Sequence, residues 1–424
     1  MFTPATLAII ILVLAIISFL AEKIPVNLTI MLSLIVLVLT GLVTPKEAIA
    51  GFSSTTILML IGVMIVGSAL FETGVCDQIA EVVTRYAKTE RKMMMAILVM
   101  ASLMSAAVSN SGTVAVFIPI ILGICSTAHY SHSKLLMCAF LGSMCGGRLT
   151  LVGDAAINVL IGDQIIKLGY PFGFFEISKI GLPLTLIMLV YMYFIGYRFL
   201  PDIPMKGFDD ALFKAKNKQD VPKWKKNASI LIMLVMFLGM IFEKQTGIPS
   251  YMVAIIGAVA DVCCGIFTEK QAYQLVSIKT VILLGGITPL ATALKKTGAA
   301  QQIADLLITL IGGSTNVYFI TVVIFLLTTI MTQFMSNVVT VTLLMPIVIS
   351  VAHSIGVIPS ALVMVLGIAS TMSILSPIAC PPANLIYSYG GYKFSDYFKS
   401  NIGLCLVFLV TCIVLIPLIW PFYR

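Results

Sequence analysis

The chain alternates long apolar runs with short breaks that are polar or rich in glycine and proline. Apolar segments occupy about 5–20, 28–43, 55–72, 92–108, 112–127, 134–166, 178–200, 228–242, 249–267, 279–294, 317–334, 340–352, 360–388 and 400–422. A bilayer crossing needs roughly 20 apolar residues, and a helix satisfies its own backbone groups in hydrocarbon, so the runs predict membrane helices. Two pairs of runs are too short for crossings. They meet at Val108-Ser109-Asn110-Ser111-Gly112-Thr113 and at Met335-Ser336-Asn337-Val338-Val339-Thr340. Each pair predicts a half-membrane hairpin with a polar tip, over about 92–127 and 317–352. The helix after each tip is expected to start near Gly112 or Val338, and it carries Pro119 or Pro346. Spans 134–166 and 360–388 are themselves interrupted, by Gly146-Gly147-Arg148 through Asn158 and by Ser376-Pro377 through Asn384.

These features recur at a nearly constant shift. Gly41, Thr44, Lys46 and Ala48 match Gly265, Thr268, Lys270 and Ala272 at 224 residues, as Thr73-Gly74 matches Thr297-Gly298. The tips match at 227, Asn158 and Asn384 at 226, and Ile180-Gly181-Leu182 and Ile402-Gly403-Leu404 at 222. So long a colinear match implies an internal duplication. The expected organisation is a first repeat over 1–201, a connector over 202–226 and a second repeat over 227–424. Each repeat is expected to hold five crossings and one re-entrant hairpin. An odd number of crossings turns the second repeat upside down, so the expected fold is an all-α polytopic membrane protein of two inverted repeats.

Composition agrees: 59% of the 424 residues are hydrophobic and 10% charged, which excludes an ordinary soluble domain. The net charge of +8 has a membrane explanation rather than a nucleic-acid one. The connector carries seven lysines (206, 214, 216, 218, 223, 225 and 226) against four aspartates, and Arg85, Lys88, Arg91 and Lys92 precede the first hairpin. The positive-inside rule makes both cytoplasmic, so both termini are expected outside, with the first hairpin entering from the cytoplasm and the second from outside. Met1-Phe2-Thr3-Pro4 offers no positive n-region, so 5–20 is expected to be a retained helix. Nine cysteines without Cys-x-x-Cys spacing are read as packed thiols, and His129-Tyr130-Ser131-His132 as an interfacial loop. Asp261, near the end of its span, is read as interfacial. No cluster of His, Cys or acidic residues suits an enzyme.

What the interruptions offer is ion coordination. Asparagine amides, hydroxyls and helix N-termini hold an anion without a large buried charge, and carbonyls, hydroxyls and an Asn oxygen suit sodium. Ser105 precedes Ser109 by four residues and Thr332 precedes Ser336 by four, so each lies one turn from its tip. Arg148 and Asp154 are ionisable groups in a broken membrane segment and are functional candidates. One account pairs them with each other; another puts Arg148 on the anion.

On these tips and breaks, and on Gly390-Gly391-Tyr392-Lys393-Phe394-Ser395-Asp396, the chain resembles the divalent anion:sodium symporters of the ion-transporter superfamily over nearly its whole length. The resemblance implies a multi-pass cell-membrane protein, of bacterial inner-membrane type, that imports a small divalent anion with sodium. It also implies a homodimer in which a transport domain moves as an elevator against a scaffold. It assigns substrate contacts to Ser109, Asn110, Ser111, Ser336, Asn337, Val338, Asn158, Asn384 and Arg148. Sodium is assigned to Ser105, Ser109, Asn110, Gly153, Thr332, Met335, Asn337 and Ala379. The chain departs from the family pattern at Val338, where threonine is usual, and at the charged Arg148 and Asp154. An anion exchanger, or an arsenite or cation antiporter using Asp154, remains open on the same fold.

Overall fold

The computed structural model describes residues 3–21, 24–75, 89–128, 130–204, 221–276, 278–310 and 315–423. Arg85, Lys88 and the connector lysines 206, 214, 216 and 218 lie outside the described residues. All longer elements among them are α-helices. The first half contains α1 (Pro4–Ala21), α2 (Val26–Leu39), α3 (Pro45–Ala50), α4 (Thr55–Glu72), α5 (Glu90–Ser105), α6 (Asn110–Ala128), α7 (His132–Gly146), α8 (Ala155–Lys167) and α9 (Ser178–Phe194). The second contains α10 (Lys223–Ile241), α11 (Glu243–Thr246), α12 (Ser250–Cys263), α13 (Glu269–Leu275), α14 (Ile278–Lys296), α15 (Ala299–Leu310), α16 (Val317–Met331), α17 (Asn337–Ser354), α18 (Pro359–Ser370), α19 (Pro381–Gly390) and α20 (Phe394–Ile419). Three of these, α10, α17 and α20, are long and apolar enough to cross a membrane by length and composition.

Local conformation follows the sequence repeat. Thr44 and Thr268 each close a capping box, with Glu47 and Gln271, at the start of α3 and α13. Gly41 and Gly265 both turn with positive φ, at 72° and 65°. Lys296, at the end of α14, lies 2.5 Å from Glu47 and holds that carboxyl down at about 2.

The helices interlock where glycine permits backbone contact. A Cβ on Gly62 of α4 would lie 2.5 Å from the Ala254 backbone of α12, and one on Gly142 of α7 would lie 2.6 Å from the Leu98 carbonyl of α5. Asp261 lies near the end of its helix, as its position in the apolar run implies, but is covered by neighbouring helices. It is fully buried in α12, which packs against α4 and α10, and neither carboxylate oxygen has a hydrogen-bond partner among the described residues. A polar residue near the end of an apolar run says nothing of the helices that cover it.

Two opposite faces can be identified from side-chain contacts. The first is where Pro201 leaves the first half. The Ser133 hydroxyl, at the start of α7, donates to the Pro201 carbonyl at 2.7 Å. Lys134 pairs with Asp202 at 2.6 Å and holds its carboxyl below the usual range, while Glu90, opening α5, accepts from the Ser131 amide. The Tyr392 hydroxyl, just before α20, donates to the Ser133 carbonyl. α20 then runs 26 residues, about 39 Å at 1.5 Å per residue. Beyond its far end, the Phe422 carbonyl accepts from the Ile358 amide before α18, and its ring meets that of Tyr318 in the first turn of α16. The base of the α5–α6 hairpin and the base of the α16–α17 hairpin thus lie at opposite ends of α20.

Candidate functional site

Both hairpin tips are built by the same two hydrogen bonds. The Ser109 hydroxyl accepts from the Gly112 amide at 3.2 Å and the Ser336 hydroxyl from the Val339 amide at 3.3 Å, so each serine caps the following helix. This capping starts α6 at Asn110 and α17 at Asn337, slightly ahead of Gly112 and Val338. One turn upstream, the Ser105 hydroxyl donates to Asn110 Oδ1 at 2.6 Å, and the Thr332 hydroxyl lies 2.9 Å from Asn337 Oδ1 and 2.7 Å from the Ser370 carbonyl. Each hydroxyl fixes its asparagine so that the amide nitrogen points away from it.

The breaks pack directly behind the tips. Thr150 donates to the Ala106 carbonyl at 2.5 Å and accepts from the amides of Val152 and Gly153. A Cβ on Gly147 would fall 2.5 Å from Asn110 Oδ1, and one on Gly153 would collide with the Ser105 carbonyl. Glycine at these positions lets the break touch the tip. In the second half Gln333 does similar work, donating to the Thr329 and Met372 carbonyls and accepting from the Leu375 amide. In the sequence Gln333 is only a lone amide between Thr332 and an apolar residue, with no pattern that marks this role.

A cavity of about 780 Å³ brings the two halves together. Ser109, Asn110 and Ser111 line it from one tip, and Ser336, Asn337 and Val338 from the other. Gly153 and Asp154 contribute from the first break, Ala379 and Cys380 from the second. Helices α6, α8, α17 and α19 all start at this cavity and turn the positive ends of their dipoles to its wall; α6, α8 and α17 also bring N-terminal amides, whereas α19 opens with Pro381 and Pro382, which have none. Asn27, Ser68, Glu72 and Leu275 belong to the rest of the wall, which periodicity alone does not reveal. Thr73, next to Glu72, bonds Ser229 in the second turn of α10 at 3.0 Å, so the cavity extends toward the face where the connector enters α10.

Other candidates lie apart from the cavity. Ser105, Thr332 and Met335 are buried behind the tips. Asn158 donates to the Gly147 and Thr150 carbonyls at 2.7 and 2.8 Å and so supports the first break from within. Asn384 sits in α19, exposed and away from the cavity wall. Arg148 is 1% exposed and donates to the Thr371 hydroxyl at 2.6 Å and the Thr371 carbonyl at 2.9 Å. It therefore closes the C-terminus of α18, across the two halves, instead of pairing with Asp154 or lining the cavity. Asp154 accepts from Asn110 Nδ2 at 3.2 Å.

The sequence pattern of the citrate transporter family (CitMHS) matches residues 12–242 and 237–424. An uncharacterized transporter of Haemophilus influenzae is 26% identical over 95% of this chain and 89% of its own. The sodium-dependent dicarboxylate transporter SdcS of Staphylococcus aureus is 25% identical over 94% of this chain and 82% of its own. Among solved structures, Neisseria gonorrhoeae MtrF, described as illuminating a class of antimetabolite efflux pumps, superposes with a TM-score of 0.64 at 15% identity, covering 98% of this chain and 94% of that one. The Alcanivorax borkumensis YdaH transporter superposes at 0.56 and 12% identity, covering 91% and 87%. These two likenesses concern the fold.

Proposed function

The chain belongs to the citrate transporter family of the ion-transporter superfamily, a family of transporters rather than enzymes, and from that premise we propose that it imports a small divalent anion together with sodium. The observation that carries this reading is the convergence of both Ser-Asn tips and four helix N-termini on one cavity. Each terminus contributes about half a positive charge, so a dianion would find donors and field without a basic side chain. Carbonyls freed at the breaks and the Asn oxygens suit sodium. SdcS, related over most of both chains, is a sodium-dependent dicarboxylate transporter, which supports the same cargo here.

In this reading the two halves are inverted repeats, 1–201 and 227–424, and the placement of the hairpin bases at opposite ends of α20 supports that inversion. The connector is cytoplasmic and both termini are outside, so the cavity, which extends toward the connector face, belongs to an inward-facing state. The tips and breaks form a transport domain that moves as an elevator against a scaffold containing α4 and α12, in a homodimer. A second reading, exchange or antiport, is favoured by one feature: among the described residues the cavity wall has two carboxylates, Asp154 and Glu72, and no basic side chain.

A thermal-shift panel of succinate, malate, citrate and sulfate, each in sodium and in choline, tests the proposal. A ligand confined to the native state stabilises it by about 2.7 kcal/mol at a hundred times its Kd. At least one dianion is expected to raise Tm in sodium and not in choline. Shifts indifferent to sodium would favour exchange, and no shift with any anion would contradict the proposed cargo.

A further inference from the structure

The two tips share a backbone plan but differ in what their asparagines have left to offer. In the first half, Asn110 is fully engaged: Oδ1 accepts from Ser105, and Nδ2 donates to Asp154 and lies 3.7 Å from Met144 Sδ. In the second half, Asn337 Oδ1 is held by Thr332, while its amide nitrogen has no acceptor among the described residues. At the 226-residue shift that matches Asn158 with Asn384, the counterpart of Asp154 is Cys380, and both line the cavity. The second tip therefore presents an uncommitted donor, and the first presents a carboxylate.

Asp154 stands at the N-cap position of α8 without capping it. One carboxylate oxygen accepts from Asn110, and the other has no donor among the described residues. Its charge forms no ion pair among those residues, and Arg148, its nearest basic neighbour in sequence, directs Nε and one terminal nitrogen to Thr371 and makes no hydrogen bond to Asp154 among them. A half-buried carboxylate with no cation in ion-pair contact is costly in a low dielectric, and it would repel an incoming dianion. Around it lie further oxygens: Asn110 Oδ1, the Ser105 hydroxyl bonded to it, and the Ser105 carbonyl, which Gly153 approaches closely enough that no Cβ would fit. An oxygen-only set with a single negative charge matches a small, hard monovalent cation.

We infer that Asp154 is a direct ligand for the coupling sodium ion at the first half-site, so that the first tip serves the cation and the second tip, through Asn337, the anion. This division rests on the transporter reading above. It makes sodium the group that neutralises Asp154 before the anion enters, which orders binding as cation first.

The test is thermal stabilisation of the purified full chain by sodium chloride against choline chloride at constant ionic strength, without any anionic substrate. The wild-type chain is expected to show a saturable sodium response. Asp154→Asn should raise the half-maximal sodium concentration at least tenfold, and Asp154→Cys, which installs the residue the second half carries, should do the same. Asn337→Ala should lose the response to dianions in sodium. If both Asp154 variants fold, with wild-type Tm in choline, and respond to sodium as wild type does, the assignment is overturned while the transporter reading stands. If wild type binds dianions but shows no sodium response, sodium coupling and this assignment fall together.

Discussion

At the scale of single residues, the membrane sharpens the consequences of every polar group. Arg148 illustrates this: a fully buried cation held by the hydroxyl and carbonyl of Thr371 through two of its nitrogens, its third without a partner among the described residues, and its guanidinium carbon 5.5 Å from the Phe408 ring centroid. The sequence identified it as important but not its partner, because Thr371 lies 223 positions away in the other half. Hydrogen bonds from a charged donor are worth about 1.5–3 kcal/mol each, and lysine cannot reproduce the two-nitrogen geometry. Arg148→Gln and Arg148→Lys should both lower the melting temperature, and adding Asp154→Asn should recover little of the loss. Substantial recovery in the double variant would restore the Arg148–Asp154 pair that the structure replaces with the Thr371 contact.

Among elements, what was legible followed from periodicity and interruption. The hairpins expected over 92–127 and 317–352 correspond to α5–α6 and α16–α17, and the broken spans separate into α7–α8 and α18–α19 at their glycines and prolines. The helices after the tips start near Gly112 and Val338, as expected, but two residues earlier at Asn110 and one earlier at Asn337, because Ser109 and Ser336 act as caps. Hydrophobic content locates a helix but does not mark its first turn. Lys223, Lys225 and Lys226, assigned to the connector, instead open α10. The tip residues of the site were readable because polar residues interrupt apolar runs twice in matching places. Ser68, Glu72 and Leu275 were not, since each belongs to an ordinary helix end and reaches the cavity only through packing. Cys125, Cys138, Cys145, Cys380, Cys405 and Cys412 are buried free thiols, whereas Cys263 and Cys264 are exposed at the end of α12.

For the whole molecule, the account makes two faces chemically unlike. The connector face carries Lys134, Asp202 and the lysines that open α10, and the opposite face carries the α20 terminus. With Cys263 and Cys264 replaced by serine, Lys214→Cys should react with an impermeant thiol reagent only in opened cells, and Tyr423→Cys should react in intact ones. The reverse pattern would invert the assigned orientation. The central claim is that the two tips form one ion site, and sodium-driven dicarboxylate uptake into proteoliposomes by Asn110→Ala and Asn337→Ala tests it most directly. Losing one amide contact to an ion costs about 1.5–3 kcal/mol, or roughly ten- to a hundredfold in affinity. Each variant, monodisperse and melting as wild type does in choline, should lose uptake by at least about that factor; wild-type uptake by both would contradict a site shared between the tips.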